Sequence, residues 1–239
     1  MQLSEKTIEI VKATAPLVGE NAVKITSTFY PVLFEDYPET KVMFNQSHQR
    51  DGGQPKALAA AVVAYALNID NLGVLGGAVE EMAERHASLN IRPEHYPMVG
   101  ASLIKAIAKV LGDAVTPDIA EAWTEAYGFL ANILINAERG KYDATLAKPG
   151  GWEGYKHFSI VKKVAESDSI ISFYLKPADG SAIIPYEAGQ YISIKLEMPG
   201  EPVTVRNYSL SDWDADYLRI SVKKDGKVST SLHDKLEEG

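Results

Sequence analysis

Near residue 148 the hydrophobic repeat changes from a helical one to a strand-like one, and that change divides the chain in two. Across 1–147 apolar residues recur at helical spacing, from Ile8 and Val11 to Trp123, Tyr127, Leu130 and Leu134. Lys148-Pro149-Gly150-Gly151-Trp152-Glu153-Gly154 reads as a linker. Short β runs follow at 158–164, 170–175, 191–196, 207–210 and 218–222. Turn clusters such as Pro177-Ala178-Asp179-Gly180 and Lys224-Asp225-Gly226 separate them. Helices first and strands afterwards predict a multidomain chain, all-α at 1–147 and a small antiparallel barrel or sandwich at 155–239. A length of 239 residues suits two domains.

The spacing predicts helices over roughly 4–19, 21–35, 38–44, 54–69, 72–88, 94–111 and 117–142, with Ser4 and Glu5 as cap and acidic first turn. Such helices with one short corner suit globin-like packing at steep crossing angles better than a four-helix bundle. The net charge of −8 argues against nucleic acid and anionic membranes as partners, and a lipid ligand stays open. With no cysteine, disulfides, iron–sulfur clusters, thiolate-ligated haem and covalent haem attachment are excluded. The N-terminus lacks the basic start and apolar run of a signal peptide, and no apolar run is long enough to span a bilayer. A cytoplasmic location is expected.

Metal chemistry then rests on the five histidines or on carboxylates. His48 falls in a polar loop, His95 at a helix start beside Pro93, and His157 and His233 in the β half without clustering. No pair stands at i,i+4, which speaks against a zinc centre. His86 ends the stripe Leu75, Val79, Met82, His86, which is the buried face of its helix. Periodicity leaves two readings of it, a satisfied core histidine or a ligand to a metal or haem iron.

A haem pocket asks for an imidazole on one side and a wall of apolar and hydrogen-bonding groups on the other. Tyr30 and Gln54 can supply polar contacts to oxygen, and Phe44 and Leu58 apolar cover. As ordinary amphipathic residues, Tyr30 and Gln54 would simply stand half-exposed. Glu138 extends the stripe Tyr127, Ala131, Leu134, so it is expected to point inward, where an imidazole N–H is a suitable partner. The other reading is a helix-end glutamate turned to solvent.

The run Pro31-Val32-Leu33-Phe34-Glu35-Asp36-Tyr37-Pro38-Glu39, then Val42-Met43-Phe44-Asn45, resembles the second helix and corner of bacterial flavohaemoglobins. Residues 12–16, 132–136 and 150–154 are also similar to that family. The resemblance implies a globin domain holding haem b, with His86 as the proximal iron ligand. It implies that Tyr30, Gln54 and Leu58 line the distal pocket and that Phe44 packs on the haem. The family's Tyr and Glu that orient the proximal imidazole match Tyr96 and Glu138. Such a hydrogen bond makes the imidazole more anionic and pushes electron density toward the iron. Oxygen chemistry needs this, and oxygen storage does not.

In the β half, Arg206-Asn207-Tyr208-Ser209 is similar to the R-x-Y-S motif of ferredoxin-reductase-type flavin barrels. In a strand Arg206 and Tyr208 share a face, so a guanidinium for phosphate stands beside a phenol for the flavin. An ordinary edge strand would also account for these four residues. Gly189-Gln190-Tyr191 resembles the family's G-Q-Y element, and residues 224–232 read as a turn into a helix start suited to a diphosphate. Together they imply FAD, contacted by Tyr191, Arg206, Tyr208, Ser209, Val228 and Ser229. Beyond Gly239 the family continues with more barrel strands and a nicotinamide domain, and no G-x-G-x-x-G-like loop occurs in this sequence. The resemblance therefore implies a partial barrel without an NAD(P)-binding domain, and leaves open whether it holds FAD.

The implied activity of the complete family protein is nitric oxide dioxygenation, with O2 and nitric oxide as substrates and NAD(P)H electrons arriving through FAD. In this chain those electrons would need the further domain or an external reductase. Two alternatives stay open from the residues: an oxygen-binding or gas-sensing globin without turnover, and an interaction module without cofactor.

Overall fold

The computed structural model describes residues 2–44, 53–198, 200 and 202–239. His48 and Asn45, both singled out above, lie outside the described residues. The chain separates into two compact units, Met1–Ala87 with Ile91–Arg139, and Ser88–Asn90 with Gly140–Gly239.

In the first unit α1 (Glu5–Glu20) starts where the Ser4 hydroxyl accepts the Thr7 amide at 3.1 Å, with Glu5 in the first turn. α2 (Ala22–Asp36) runs into a 3-10 turn, Pro38–Met43, whose first position tolerates proline because that amide has no helical partner. α3 (Gly53–Leu67), α4 (Gly76–Ser88), α5 (His95–Leu111) and α6 (Pro117–Leu146) follow. The apolar faces of α1, α2, α3, α5 and α6 converge on one core, with Val11 and Val18 of α1, Ile25, Phe29 and Leu33 of α2, Tyr65 and Ala66 of α3, Ile107 of α5, and Trp123 and Ala126 of α6. Burying each large side chain contributes roughly 1.5–3 kcal/mol. Polar groups inside this core are matched across helices. The Trp123 indole donates to Thr14 Oγ1 at 2.9 Å, the Tyr65 phenol to the Ala126 carbonyl at 2.7 Å, and Thr26 Oγ1 to the Pro55 carbonyl at 2.8 Å.

The helices stand where the spacing predicts, with two differences. The helix expected over 72–88 begins as a 3-10 turn, Leu72–Leu75, and becomes α-helical only at Gly76. Gly73, Gly76 and Gly77 make that stretch a poor helix former, and the Val74 amide bonds back to Asn71 at 3.3 Å instead. α6 continues to Leu146 rather than 142, because no proline or glycine interrupts 141–146.

One buried group in this unit lacks a partner among the described residues: Ser102 Oγ in α5, at 0% exposure. An unsatisfied buried hydroxyl costs more than it contributes. Ser102→Ala is therefore expected to leave stability unchanged or raise it by up to about 1 kcal/mol, read from the urea midpoint at constant slope. A loss beyond that range would show that the hydroxyl has a partner.

The second unit holds two antiparallel sheets. β1 (Phe158–Ser167) pairs with β2 (Ile170–Pro177), and β2 with β5 (Leu218–Lys223). β3 (Tyr191–Leu196) pairs with β4 (Thr204–Ser209) in a register that sets Tyr191 opposite Ser209 and Ile194 opposite Arg206. A single bridge, Leu210 to Ile220, links the second pair to β5. Among the described residues the sheets do not close, so the unit is a partial antiparallel barrel. Leu218, Ile220 and Val222 alternate inward and join Phe173, Leu175, Leu196 and Leu232 of α7 (Lys227–Lys235) in a second core. β4 starts three residues before its expected position, since β-branched Thr204 and Val205 extend the ladder with β3. In the linker Gly150 has φ +70°, and a Cβ there would lie 2.2 Å from the Ala182 carbonyl oxygen. Only glycine fits.

Candidate functional site

α4 presents Val79, Met82 and His86 half-buried along one stripe, which Leu75 of the preceding 3-10 turn begins, and the helix's other positions are mostly exposed. Its end is set by Asn90, which takes a left-handed φ of +56° so that the Ile91 amide reaches back to the His86 carbonyl at 3.0 Å. The helix therefore stops one turn beyond His86. The histidine lies above a small apolar cluster of Tyr96, Ala131 and Leu134, against which Val79, Met82 and Ile91 pack.

Three side chains from three helices meet here. His86 Nδ1 lies 2.7 Å from Glu138 Oε1 and 3.1 Å from the Tyr96 hydroxyl. The Tyr96 phenol also donates to Glu138 Oε1. Glu138 is 1% exposed, so its carboxylate is removed from water and answered by two donors. With Nδ1–H donating to Glu138, the lone pair belongs to Nε2. Nε2 has no hydrogen bond among the described residues, and the His86 side chain keeps 29% of its surface accessible. An imidazole oriented by a carboxylate, with its second nitrogen bonded by none of the described residues, could hold a transition metal.

Next to this triad, the Tyr127 phenol donates to the Tyr96 carbonyl at 2.7 Å. Burial, with the Glu138 charge adding to it, raises the Tyr127 phenol well above its ordinary pKa. His95 has a different role: its Nδ1 accepts the Arg92 amide at 3.0 Å at the start of α5, and burial lowers its pKa.

Of the residues predicted to form the opposite wall, Tyr30 is 5% exposed and its ring lies 5.5 Å from that of Phe44, edge to face. Phe34 completes an aromatic group with them, 5.6 Å from Phe44. Gln54 and Leu58 stand one turn apart on α3, both half-buried, and Leu58 packs on the same core as Phe44. The Thr26–Pro55 bond ties the first turns of α3 to α2, and so places Gln54 and Leu58 relative to Tyr30. Sequence reasoning did not identify Thr26.

In the second unit Arg206 and Tyr208 share the half-buried face of β4 while Asn207 and Ser209 are exposed. Arg206 Nη1 donates to the Val205 carbonyl at 2.7 Å. Tyr208 packs on the second core, and burial raises its phenol pKa. Tyr191 is exposed opposite Ser209. Val228 packs on the same core as Tyr208, at the start of α7. Ser229 Oγ accepts the Asp225 and Gly226 amides at 3.0 and 2.9 Å, so its hydroxyl shapes the turn.

The globin family model matches residues 27–134. Flavohemoproteins of Rhodopirellula baltica and Bacillus subtilis are 51% and 50% identical to this chain over 99% of it. The chain spans 60% of the length of each. Among solved structures, a flavohemoglobin from Malassezia yamatoensis, determined with bound FAD and heme, is similar with a TM-score of 0.85 at 35% identity. That likeness covers 100% of this chain and 62% of the other. A bacterial globin from Campylobacter jejuni is 41% identical with a TM-score of 0.56, over 59% of this chain and 99% of its own. The helical unit has the globin fold and belongs to the globin family, and the chain as a whole is similar to flavohaemoproteins.

Proposed function

We propose that residues 1–147 form a haem-binding globin domain in which His86 would hold the iron. Residues 155–239 then belong to an FAD-binding barrel, joined by the linker 148–154. In the complete protein these parts would convert nitric oxide and O2 to nitrate with NAD(P)H as reductant. The observation that carries this reading is the clamp on His86, with Nδ1 held by Glu138 and Nε2 left for a metal. The donor set suits haem rather than zinc, since one oriented imidazole whose partner Tyr96 belongs to an apolar cluster supplies a single nitrogen ligand and no tetrahedral cage.

Haem, when bound, supplies the binding of O2 and the oxidation of nitric oxide. The chain's own groups do the rest. Glu138 and Tyr96 orient the imidazole and keep it electron-rich. Tyr30 and Gln54 would offer hydrogen bonds to the bound gas, while Phe44 and Leu58 would give apolar cover. On the flavin side, Arg206 would pair with phosphate, Tyr191, Tyr208 and Ser209 would contact the flavin, and Val228 and Ser229 would hold the diphosphate turn. Nitric oxide, O2 and one electron balance to nitrate, so one hydride from NAD(P)H serves two turnovers. A cytoplasmic location, where NAD(P)H is at hand, would suit the complete reaction.

The test is the reduced visible spectrum of haem-supplied protein with and without carbon monoxide, beside His86→Ala. A Soret band that carbon monoxide shifts, and that His86→Ala weakens or alters, is expected; no band in wild type would overturn the reading. Adding an external reductase and nitric oxide separates turnover from gas binding alone. Tyr30→Phe is expected to release O2 about three- to tenfold faster, the worth of one hydrogen bond. An unchanged release rate in stopped-flow would remove Tyr30 from that role.

A further inference from the structure

α7 is a helix of nine residues, too short to keep its shape without tertiary support. Only Ser231 and Leu232 are buried on it, and Val228 packs on the second core. The rest of its hold is polar and lies at its C-terminal end. The Lys163 ammonium, on β1, donates to the His233 carbonyl at 3.1 Å and to the Leu236 carbonyl at 2.6 Å. Carbonyls of a last turn have no donor inside the helix, and a cation there also complements the helix dipole. From the other side, His233 Nε2 donates to the Val222 carbonyl of β5 at 2.7 Å. Both side chains rest on Phe173 of β2, which is 1% exposed, with the ammonium 5.6 Å and the imidazole 6.1 Å from its ring centroid. A further tie, Lys224 to Asp234, is a solvent-exposed pair and is worth little.

At the opposite end, the Thr230 amide makes the first intrahelical bond, to the Gly226 carbonyl at 2.9 Å. The amides ahead of it have no carbonyl to meet inside the helix, which suits an anion with several oxygens. Their direction is set by the far end. A helix of this length is about 13 Å long, so a tilt of about 10° at the last turn moves the first amides by roughly 2 Å. That exceeds what a hydrogen bond tolerates.

We propose that Lys163 is a positioning residue for the dinucleotide. By holding the last turn of α7 on β1, it fixes the direction in which the first amides of the helix meet the cofactor's diphosphate. The diphosphate as ligand rests on the FAD reading above; the hold on α7 does not, and two measurements separate them.

In apoprotein, hydrogen exchange followed by NMR reads the Thr230 amide, at the end of the helix remote from the Lys163 bonds. Lys163→Met, which keeps the stem and loses the donors, is expected to speed that exchange about three- to tenfold. Lys163→Arg, which keeps a cation with donors, is expected to restore most of it. Lys163→Gln, with a shorter donor, is expected to fall between and serves where Lys163→Met does not fold. A change confined to the last-turn amides would show a local cap and overturn the proposal.

The second measurement titrates FAD, and riboflavin, which lacks the diphosphate, by flavin fluorescence. Lys163→Met is expected to weaken FAD about three- to tenfold and riboflavin less than about twofold. Equal weakening of both would mean that Lys163 supports the unit in general, and would also overturn the proposal. A wild type that binds neither flavin, with Thr230 exchange still answering to Lys163→Met, would sink the FAD reading and leave the hold on α7 standing.

Discussion

Glu138→Gln is expected to cut nitric oxide consumption, measured with an external reductase, by about 10–100-fold, the usual cost of losing a partner behind a metal ligand. Stability should change much less. The amide keeps the shape and one acceptor oxygen, so Tyr96 and His86 can still find a bond. The charge is lost, and with it the anionic character of the imidazole. Removing a buried charge also removes its desolvation penalty, which offsets the weaker hydrogen bonds. The split is the diagnostic: a large fall in turnover and in the iron–imidazole stretch, with the urea midpoint nearly unmoved. Turnover within twofold of wild type would mean that Glu138 has only a structural role. Equal losses of turnover and folded protein would mean the same.

Phe29→Ala is expected to destabilise the globin unit by about 3–5 kcal/mol, the range for truncating a fully buried aromatic. Phe29 is 1% exposed and stands edge to face with Tyr30, ring centroids 4.8 Å apart. With total stability of about 5–15 kcal/mol for a domain, this one side chain is a large share. Phe29→Leu keeps most of the volume and should cost less than about 2 kcal/mol. Chemical denaturation of the two variants checks both figures. An alanine variant within 1 kcal/mol of wild type, on the same rough scale, would contradict the packing described. Because the cavity would open beside Tyr30, its O2 release is also expected to become faster.

Much of the candidate site could be read before any coordinates. Glu138 follows Tyr127, Ala131 and Leu134 at spacings of four, three and four, which points its carboxylate inward, although a helix-end glutamate turned to solvent fits the same spacing until the packing is seen. His86 follows Leu75, Val79 and Met82 in the same way, yet spacing could not decide between a satisfied core histidine and a ligand. That choice turns on which nitrogen the protein itself bonds, and that is a property of packing rather than of spacing. Tyr96 has no comparable stripe signal and came from the family likeness alone.

The same division holds for the fold. Local chemistry wrote the Ser4 cap, the proline-led corner, the linker glycines and the alternation of Leu218, Ile220 and Val222, because caps, turns and periodicity involve neighbours in the chain. The start of β4 at Thr204 was settled by its partner β3, whereas the edges at Gly76 and Leu146 follow local helix propensity. The sequence by itself determined two kinds of structure, an inward carboxylate and a histidine on a buried face. Only the tertiary structure brought His86, Tyr96 and Glu138 onto one oxygen, since hydrogen bonds between residues 42 and 52 positions apart are a property of helix packing and not of spacing.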